Sequence, residues 1–257
     1  MHYEFIALAR EDAFAVVTMR RPERRNALSE EHLRELLHAF EGIGRSDARG
    51  AILAAEGPVF SAGHDFADMN GRGLDEMRRL LSLCSDVMQT LQAIPQPVIA
   101  QVEGLATAAG CQLVASCDLA VASDAARFQV PGGRGGWFCT TPGVALGRAI
   151  ARKHAVEMLL TGDAIDAPTA LAWGLVNRIA PAADVASETR ALLARATRGS
   201  ALSKALGKQS FYRQIEMDLH TAYAYATEVM ASASQTFDAQ ENIRAFLEKR
   251  APRFEDR

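Results

Sequence analysis

The sequence predicts an α/β domain followed by a helical C-terminal region. Through the first 200 residues, short apolar runs of the kind that is buried inside a sheet alternate with stretches of helical periodicity. The segment 201–250 has no strand signal, so its helices need a surface to pack on, either their own core or another subunit. No linker rich in serine, proline or glycine divides the chain. Because the strand signals end before residue 201, we expect a core at 1–200 and a helical region at 201–257.

Two strand-like runs and a helix open the chain. The runs cover 4–9 and 13–19 and are joined by a short charged turn. Ser29 is the predicted N-cap of the helix, because a serine hydroxyl can accept a hydrogen bond from the first turn. Gly42 and Gly44 mark the predicted end of this helix.

Strands and helices alternate in the central part of the chain. A longer helix is predicted at about 74–93, where apolar residues recur at roughly helical spacing. The runs PVIAQVEG and CDLAVAS are continuous and apolar, as in the interior of a sheet. A helix fits between these two strands at about 109–116.

Charge and composition argue against several classes of function. The chain has 257 residues, 49% of them hydrophobic, and a net charge of −3 with acidic and basic residues well mixed. Nucleic-acid and membrane-surface proteins usually show a basic patch, so we expect no such partner. No apolar run reaches the ~20 residues that cross a bilayer, and we see no signal-peptide pattern. Since the four cysteines lack CxxC or metal-ligand spacing, we expect a cytoplasmic protein with reduced thiols and no metal site.

Three glycine-bearing loops each follow a predicted strand and precede a predicted helix: FSAGHD at 60–65, GLATAAGCQ at 104–112 and PGGRGGWFCTTPG at 131–143. Such turns leave free N–H groups at the helix N-terminus, which favour an oxyanion, a phosphate or a polarised carbonyl. The nucleotide-binding patterns GxxxxGK[ST] and GxGxxG after the first strand are absent, and so is the GxSxG of serine hydrolases.

Five stretches together resemble the enoyl-CoA hydratase/isomerase (crotonase) superfamily, in order and over essentially the whole chain. They are RRPERRNALSEEHLREL, GPVFSAGHDFADM, VEGLATAAGCQLVASCDLAVASDAARFQVP, TPGVALGRAIARKHAVEMLLTGDAIDAPTALAWGLVNRI and ENIRAFLEKRAPRF. The resemblance implies an α/β crotonase (ClpP-like) spiral of ββα repeats with a C-terminal helical trimerisation region, assembled as a homotrimer or hexamer. It implies an acyl-CoA substrate, with coenzyme A as part of the thioester and no separate cofactor.

The resemblance assigns an oxyanion hole to two backbone N–H groups. These belong to His64, which follows Gly63, and to Ala109, which precedes Gly110. In this family they hold the thioester carbonyl, and such donors contribute on the order of 3–4 kcal/mol each when judged by their removal. The small residues of the central loop are then explained by the approach of the thioester oxygen.

Both glutamates that hydratases of this family use are missing. One position holds Gln112 and the other holds Gly132. Glutamine can orient water but cannot accept a proton, and general acid–base catalysis is worth ~10²–10⁴-fold per group, so hydration should be weak. Double-bond isomerisation, decarboxylation or thioester hydrolysis could use the oxyanion hole instead. The alternative function is a non-catalytic acyl-CoA sensor or scaffold.

Other side chains could replace the missing base. His64 could act as an acid or base near neutral pH, or its ring could instead bond Asp65 or backbone. Cys139 has no assignable histidine partner as a nucleophile, and Trp137 is expected to form a pocket wall. Arg134 could attract a carboxylated acyl group, or be a solvated loop charge. A carboxylate from an unusual direction could come from the acids near the helix that roofs the acyl pocket in relatives: Asp68, Asp75 and Glu76.

The resemblance also suggests contacts to coenzyme A. Arg24 and Arg25 are candidate phosphate partners, and Phe246 and Lys249 match positions that reach the nucleotide bound to a neighbouring subunit. The family's lysine after the first oxyanion loop is replaced by Ala67. The remaining predicted substrate-binding residues are Ala62, Gly63, Asp65, Phe66, Gly110, Gly132 and Trp137.

Overall fold

Ten strands form two sheets in the computed structural model, which describes residues 2–257. The strands are β1 (Ile6–Glu11), β2 (Phe14–Met19), β3 (Gly50–Ala55), β4 (Val59–Ser61), β5 (Val98–Val102), β6 (Leu105–Thr107), β7 (Leu119–Ser123), β8 (Arg127–Gln129), β9 (Ile165–Asp166) and β10 (Arg178–Ala180). The larger sheet has the order β1-β2-β3-β5-β7-β10, and the smaller one has the order β4-β6-β8-β9. The hairpin β1–β2 and the pair β8–β9 are antiparallel, and the other pairs are parallel.

Eleven α-helices cover these sheets in the described residues 2–257. They are α1 (Glu30–Gly44), α2 (Phe66–Met69), α3 (Leu74–Ala93), α4 (Ala109–Ser116), α5 (Thr140–Ala149), α6 (Arg152–Thr161), α7 (Ala167–Trp173), α8 (Val185–Ala196), α9 (Ala201–Gln214), α10 (Leu219–Ala233) and α11 (Phe237–Leu247). None of them is both long enough and apolar enough to cross a bilayer.

A repeated ββα unit positions the three glycine-bearing loops. In the pairs β3–β4, β5–β6 and β7–β8, the first strand joins the larger sheet, the second joins the smaller sheet, and a helical segment follows. Since β4, β6 and β8 are parallel neighbours, their carboxyl ends meet at one edge of the smaller sheet. The loops that leave these three strands therefore lie side by side.

Both faces of the larger sheet are buried, which explains its continuous apolar runs. Along β3, Ala51 and Leu53 belong to the main core, whereas Ile52 and Ala54 pack on the opposite face. That second layer is completed by Leu193 of α8. A strand with only one covered face would instead alternate apolar and polar residues.

The predicted N-cap and the predicted helices at 74–93 and 109–116 are confirmed. Ser29 Oγ accepts a hydrogen bond from His32 N at 3.3 Å, as a cap should. The first strand differs from the prediction, because it begins at Ile6. The Glu35 carboxylate accepts hydrogen bonds from the N–H groups of Glu4, Phe5 and Ile6 at 2.7, 2.8 and 3.1 Å. This set of hydrogen bonds, the Glu35 clamp, holds the residues that precede β1. The hydrophobic periodicity of the sequence does not predict it.

A buried ion pair fastens the C-terminal helices to the core. Lys208 Nζ of α9 lies 2.7 Å from Asp118 Oδ2 and donates to the carbonyl oxygens of Leu91 and Gln96 at 2.7 and 2.8 Å. In contrast, α10 buries only Ala222. Such a helix has an apolar face left for another surface, and the division of the chain at residue 200 stays a prediction.

Candidate active site

The first oxyanion loop lies directly against the second because Gly63 has no side chain. Its φ of +82° is a conformation that glycine adopts freely. A Cβ on Gly63 would lie 2.8 Å from the Cβ of Ala108 and 3.1 Å from the backbone nitrogen of Ala109. Any larger residue would push the two loops apart.

The second loop is strained at the residue that begins the turn into α4. Ala108 has φ 51° and ψ −119°, and such conformations cost non-glycine residues on the order of 1–3 kcal/mol. The strain turns the chain sharply from β6 into α4, so that Ala109 is the first helical residue. Gly110 is required next, because a Cβ there would lie 2.4 Å from the Ser61 carbonyl oxygen.

Two backbone N–H groups on these facing loops are free to bind an oxygen. Leu28 N donates to Gly63 O at 2.8 Å and Asp65 N donates to Leu28 O at 3.2 Å, but the intervening His64 N–H donates to no acceptor within residues 2–257. The Ala109 N–H also has no acceptor there, as expected for the first residue of a helix. The positive end of the α4 dipole adds to the attraction for a negatively polarised oxygen.

A hydrogen-bonded chain that the sequence reading missed holds the first loop in place. Asn26 Nδ2 donates to the carbonyl oxygens of Glu56 and Val59 at 2.9 and 2.8 Å. Ser61 Oγ donates to Asn26 O at 2.8 Å and accepts from Gly63 N at 3.2 Å. The asparagine of RRNAL and the serine of FSAG were visible in the sequence, but their pairing depends on contacts across 35 positions.

The His64 ring is buried next to the oxyanion hole without a hydrogen-bond partner. Neither ring nitrogen reaches one within residues 2–257. Burial lowers the pKa of His64 below its usual value, while the neighbouring Leu28 backbone and Asp68 carboxylate act in the opposite direction. The lowered pKa favours the neutral form of the ring. Asp65 does not bond the ring, because its carboxylate caps α2 through Ala67 N at 3.0 Å.

The three acids considered as replacement bases each have a local partner. Asp68 Oδ1 lies 2.6 Å from Arg72, and its Oδ2 accepts from the Glu30 N–H at 3.0 Å. Asp75 pairs with Arg78 at 2.7 Å on the surface. Glu76 accepts from its own helix N-cap at 2.8 Å. The geometry gives no support to a carboxylate attacking from this side.

Gln112 lies one turn into α4 from the Ala109 N–H, on the wall of an open cavity of about 1010 Å³. Its side chain is only 4% exposed, and its Oε1 has no hydrogen-bond partner within residues 2–257. The cavity lies between α3, α4, α5 and α9, and its walls include Met88, Val114, Thr141, Val144, Phe211 and Tyr212 but neither His64 nor Ala109.

The position where the resemblance expects the second glutamate has no room for a side chain. Gly132 lies in a 3₁₀ turn, Pro131–Gly133, that follows β8. A Cβ there would lie 2.2 Å from the Trp137 carbonyl oxygen and 2.7 Å from Cys139 Sγ. The loop therefore folds onto the space that a carboxylate would need.

The family model for enoyl-CoA hydratase/isomerase matches residues 9–257. The chain belongs to this family.

Relatives and solved structures of this family agree on the fold. The mitochondrial enoyl-CoA hydratase domain-containing protein 3 of mouse is 44% identical over 247 residues, covering 94% of this chain and 81% of the relative. The structure of the human protein of that name has a TM-score of 0.94 at 43% identity, covering 98% of this chain and 100% of that one. An enoyl-CoA hydratase of Mycobacterium smegmatis gives a TM-score of 0.95 at 43% identity, covering 98% and 99%. The predicted crotonase fold is confirmed.

One prediction is overturned by these relatives. The similar proteins of mouse, rat, Xenopus laevis and human are all named mitochondrial. The cytoplasmic location expected from the sequence is therefore wrong. Cysteines without disulfide spacing indicate a compartment that keeps thiols reduced. They do not distinguish one such compartment from another.

The loop residues beside Gly132 have structural partners in this family member. Cys139 Sγ accepts a hydrogen bond from Gly132 N at 3.2 Å, and burial raises the pKa of its thiol, which disfavours a nucleophilic thiolate. Trp137 is half exposed and is not among the residues that line the cavity. Arg134 pairs with Asp163 at 3.1 Å on the surface. The role predicted for Trp137 stays a prediction.

The predicted CoA contacts fall into two groups. Arg24 and Arg25 are exposed beside the first loop, where Arg25 O accepts from Ala62 N at 2.9 Å. Phe66, at the start of α2, is also exposed. Phe246 lies in the last turn of α11 and is 80% exposed, and Lys249 follows the end of this helix by two residues. Their predicted contact needs a neighbouring subunit and stays a prediction.

Proposed function

We propose that this member of the enoyl-CoA hydratase/isomerase family binds acyl-CoA thioesters, with the thioester oxygen held by the N–H groups of His64 and Ala109. The observation that carries the proposal is that the N–H groups of His64 and Ala109 donate to no acceptor in the described chain. The two loops that carry them are closely packed at Gly63. Gly63 permits this packing, and the strained Ala108 aims the second N–H. A binding site is a physical reason to maintain such strain.

The oxyanion hole polarises the bound thioester. Two preorganised donors stabilise negative charge on the oxygen, so that an α-proton becomes more acidic and the β-carbon more electrophilic. Reactions that proceed through an enolate or a tetrahedral oxyanion, such as isomerisation, decarboxylation or thioester hydrolysis, draw on this stabilisation. Efficient hydration needs a base as well, and Gln112 cannot supply one.

A non-catalytic acyl-CoA sensor or scaffold is the second candidate function. It is favoured by the pairing of nearby carboxylates with local partners, Asp68 with Arg72 among them. It is also favoured by the absence of any hydrogen bond that would orient the His64 ring as a base within the described chain. In this case the two N–H groups would contribute to the affinity for acyl-CoA but would not catalyse a reaction.

The coenzyme A part of the ligand would contact the first loop and a neighbouring copy. We expect Arg24 and Arg25 to meet its phosphates, and Phe246 and Lys249 of a second subunit to reach its nucleotide. A homotrimer or hexamer is supported by α10, which exposes Leu219, Tyr223 and Met230. Apolar area of this kind on a helix usually marks an interface.

The experiment combines a hydration assay with calorimetric titration. Loss of the enoyl thioester absorbance is followed with crotonyl-CoA and longer 2-enoyl-CoAs, and an unreactive acyl-CoA is titrated in parallel. We expect binding, with hydration at least about 10²-fold below that of a hydratase carrying both glutamates. Hydration at an ordinary rate would contradict the assignment of Gln112 and Gly132.

A matched pair of glycine variants tests the site itself. Gly63→Ala should abolish acyl-CoA binding, because its Cβ would press on Ala108. Gly42→Ala is the control, since nothing lies within 4 Å of a Cβ at that position. Both variants are checked for folding by thermal melting. Undiminished binding by a folded Gly63→Ala variant would contradict the proposed hole.

A further inference from the structure

The direction of the His64 N–H is set by the peptide that joins His64 to Gly63. In a planar trans peptide, the carbonyl and the N–H point in opposite directions. The Gly63 carbonyl oxygen accepts from Leu28 N at 2.8 Å, so the His64 N–H points away from Leu28. Because Gly63 N donates to Ser61 Oγ at 3.2 Å, His64 has the one N–H of residues 62–65 without an acceptor in the described chain.

The second donor of the oxyanion hole is held by main-chain bonds alone. Ala108 O accepts from Gln112 N at 3.0 Å, and Ala108 N donates to Gln129 O on β8 at 2.9 Å. These bonds fix the peptide between Ala108 and Ala109, and no side chain takes part in them. A side chain that orients the hole is therefore to be sought at the first donor.

Asn26 is the side chain that anchors the segment behind the first donor. It is completely buried, and both ends of its amide are bonded. Nδ2 donates to the carbonyl oxygens of Glu56 and Val59 at 2.9 and 2.8 Å, and Oδ1 accepts from Arg21 N at 2.8 Å. Since a carbonyl oxygen only accepts and a backbone N–H only donates, these partners fix which end of the amide is which.

The backbone of Asn26 connects this anchor to the first donor by two routes. Its φ of 49° lies in the left-handed region, which asparagine adopts more often than most residues. Its carbonyl oxygen accepts from Ser61 Oγ at 2.8 Å, and Leu28 follows two residues later in the chain. Both routes end at Gly63, because Ser61 Oγ accepts its N–H and Leu28 N donates to its carbonyl.

We propose that Asn26 is a positioning residue of the oxyanion hole, whose amide holds the turn that aims the His64 N–H at the thioester oxygen. The inference rests on the proposed function, because it requires the thioester oxygen to bind that N–H. Asn26 acts through Ser61 and Leu28 on the direction of one donor. Its loss should therefore weaken the polarisation of the carbonyl while the second donor, Ala109, stays in place.

The test measures the polarisation of the thioester carbonyl directly. The infrared carbonyl band of isotope-labelled butyryl-CoA is recorded free and bound to the wild type, Ser61→Ala and Asn26→Asp. Hydrogen bonds weaken the carbonyl bond, so the band should move to lower wavenumber on binding to the wild type. In both variants we expect about half of this shift, because one of the two donors is no longer aimed. Calorimetric titration should show an affinity lower by about fivefold, the effect of one net hydrogen bond.

Ser123→Ala is the matched control for Ser61→Ala. Like Ser61, Ser123 is a completely buried residue that ends a strand. Its Oγ likewise accepts from the N–H two residues later, that of Ala125, at 3.1 Å. Because Ser123 ends β7 of the larger sheet and not β4, Ser123→Ala should keep the wild-type band shift and affinity.

The possible outcomes separate this inference from the proposed function. Full wild-type shifts in Ser61→Ala and in a folded Asn26→Asp protein would overturn the role of Asn26 while the oxyanion site stands. An equal loss of shift in Ser123→Ala would also overturn it, because the effect would not be specific to the first loop. Butyryl-CoA that does not bind the wild type, or binds without any band shift, would overturn the proposed function itself. Ser61→Ala decides the matter where the aspartate variant does not fold.

Discussion

The two oxyanion loops and the segment 131–139 leave neighbouring strands of the same small sheet, but they use their backbone groups in opposite ways. In the oxyanion loops, the N–H groups of His64 and Ala109 have no acceptor in the described chain. In the segment 131–139, Trp137 N donates to Gly132 O at 3.0 Å, so the loop is closed on itself. At one edge of the smaller sheet, two N–H groups without an acceptor therefore lie beside a turn that is closed by its own hydrogen bond.

This difference separates two parts of the chemistry of the family. Polarisation of a carbonyl needs only backbone donors, whose positions depend on close packing at Gly63 and Gly110. Proton transfer needs a titratable side chain at a defined distance. With Gln112 and Gly132 where the resemblance expects glutamates, we therefore expect proton transfer to be weakened and carbonyl polarisation to remain.

The largest expected effect on acyl-CoA binding comes from adding a side chain at Gly110, where the two oxyanion loops are packed together. Gly110→Ala would place a Cβ 2.4 Å from the Ser61 carbonyl oxygen and force the loops apart. Because this variant displaces the loop backbone itself, we expect acyl-CoA affinity to fall sharply, and any turnover should fall by about 10²–10³-fold, the usual loss of kcat when an oxyanion donor is removed. Gly207→Ala is the control on α9, where a Cβ would meet nothing within 4 Å. A folded Gly110→Ala protein with wild-type affinity would show that the loops do not form the site.

His32 is a buried histidine outside the site. Because burial lowers its pKa as it does that of His64, a measurement on His32 tests the same physical effect. Burial lowers the pKa of His32 from 6.5 to about 4. Its contribution to stability is full above pH 6.5 and is lost as the pH falls toward about 4, because the unfolded chain takes up the proton first. That gap corresponds to about 3 kcal/mol of unfolding free energy.

Urea unfolding of the wild type and of His32→Asn checks this sign and size. Asparagine can keep the hydrogen bond that His32 Nδ1 makes with Ala27 O at 3.1 Å, but it does not titrate. We expect the wild type to lose about 3 kcal/mol more than the variant between pH about 7 and about 4. Parallel losses in the two proteins would show that His32 is not the responsible group.

The next largest effect is expected at Gln112, whose side chain cannot accept a proton. Gln112→Glu should raise crotonyl-CoA hydration by about 10²-fold, because it places one carboxylate three residues after Ala109 on α4, where the resemblance expects a glutamate. Gly132→Glu should give no gain and should lower stability, because its Cβ would lie 2.2 Å from the Trp137 carbonyl oxygen. Activation by Gly132→Glu alone would mean that the segment 131–139 opens in solution.

The smallest effect is expected at the nucleotide end of the ligand. Lys249→Ala should weaken acyl-CoA binding by about two- to fivefold, and the loss should shrink at high salt, as is usual for exposed charge contacts. Lys204→Ala serves as the control, because this lysine is also exposed but lies within α9 and not in the segment after α11. Equal behaviour of both variants would remove Lys249 from the proposed contacts.

Local patterns were sufficient for the helices whose signals lie within one turn of the chain. The Ser29 cap and the apolar periodicity of 74–93 depend on neighbours in sequence, and the structure confirms both. The first strand was misplaced because the Glu35 clamp acts across about 30 positions. Contacts of that kind leave no local pattern.

By itself, the sequence determined the family and the three glycine-bearing loops. It also has Gln112 and Gly132 where the resemblance expects glutamates, and residue identity alone decides that neither can accept a proton. Only the tertiary structure decided that the first two loops touch, that Ala108 is strained and that the Gly132 turn has no space for a carboxylate. These are properties of distance between segments far apart in the chain. The packing of strands β4, β6 and β8 side by side sets those distances.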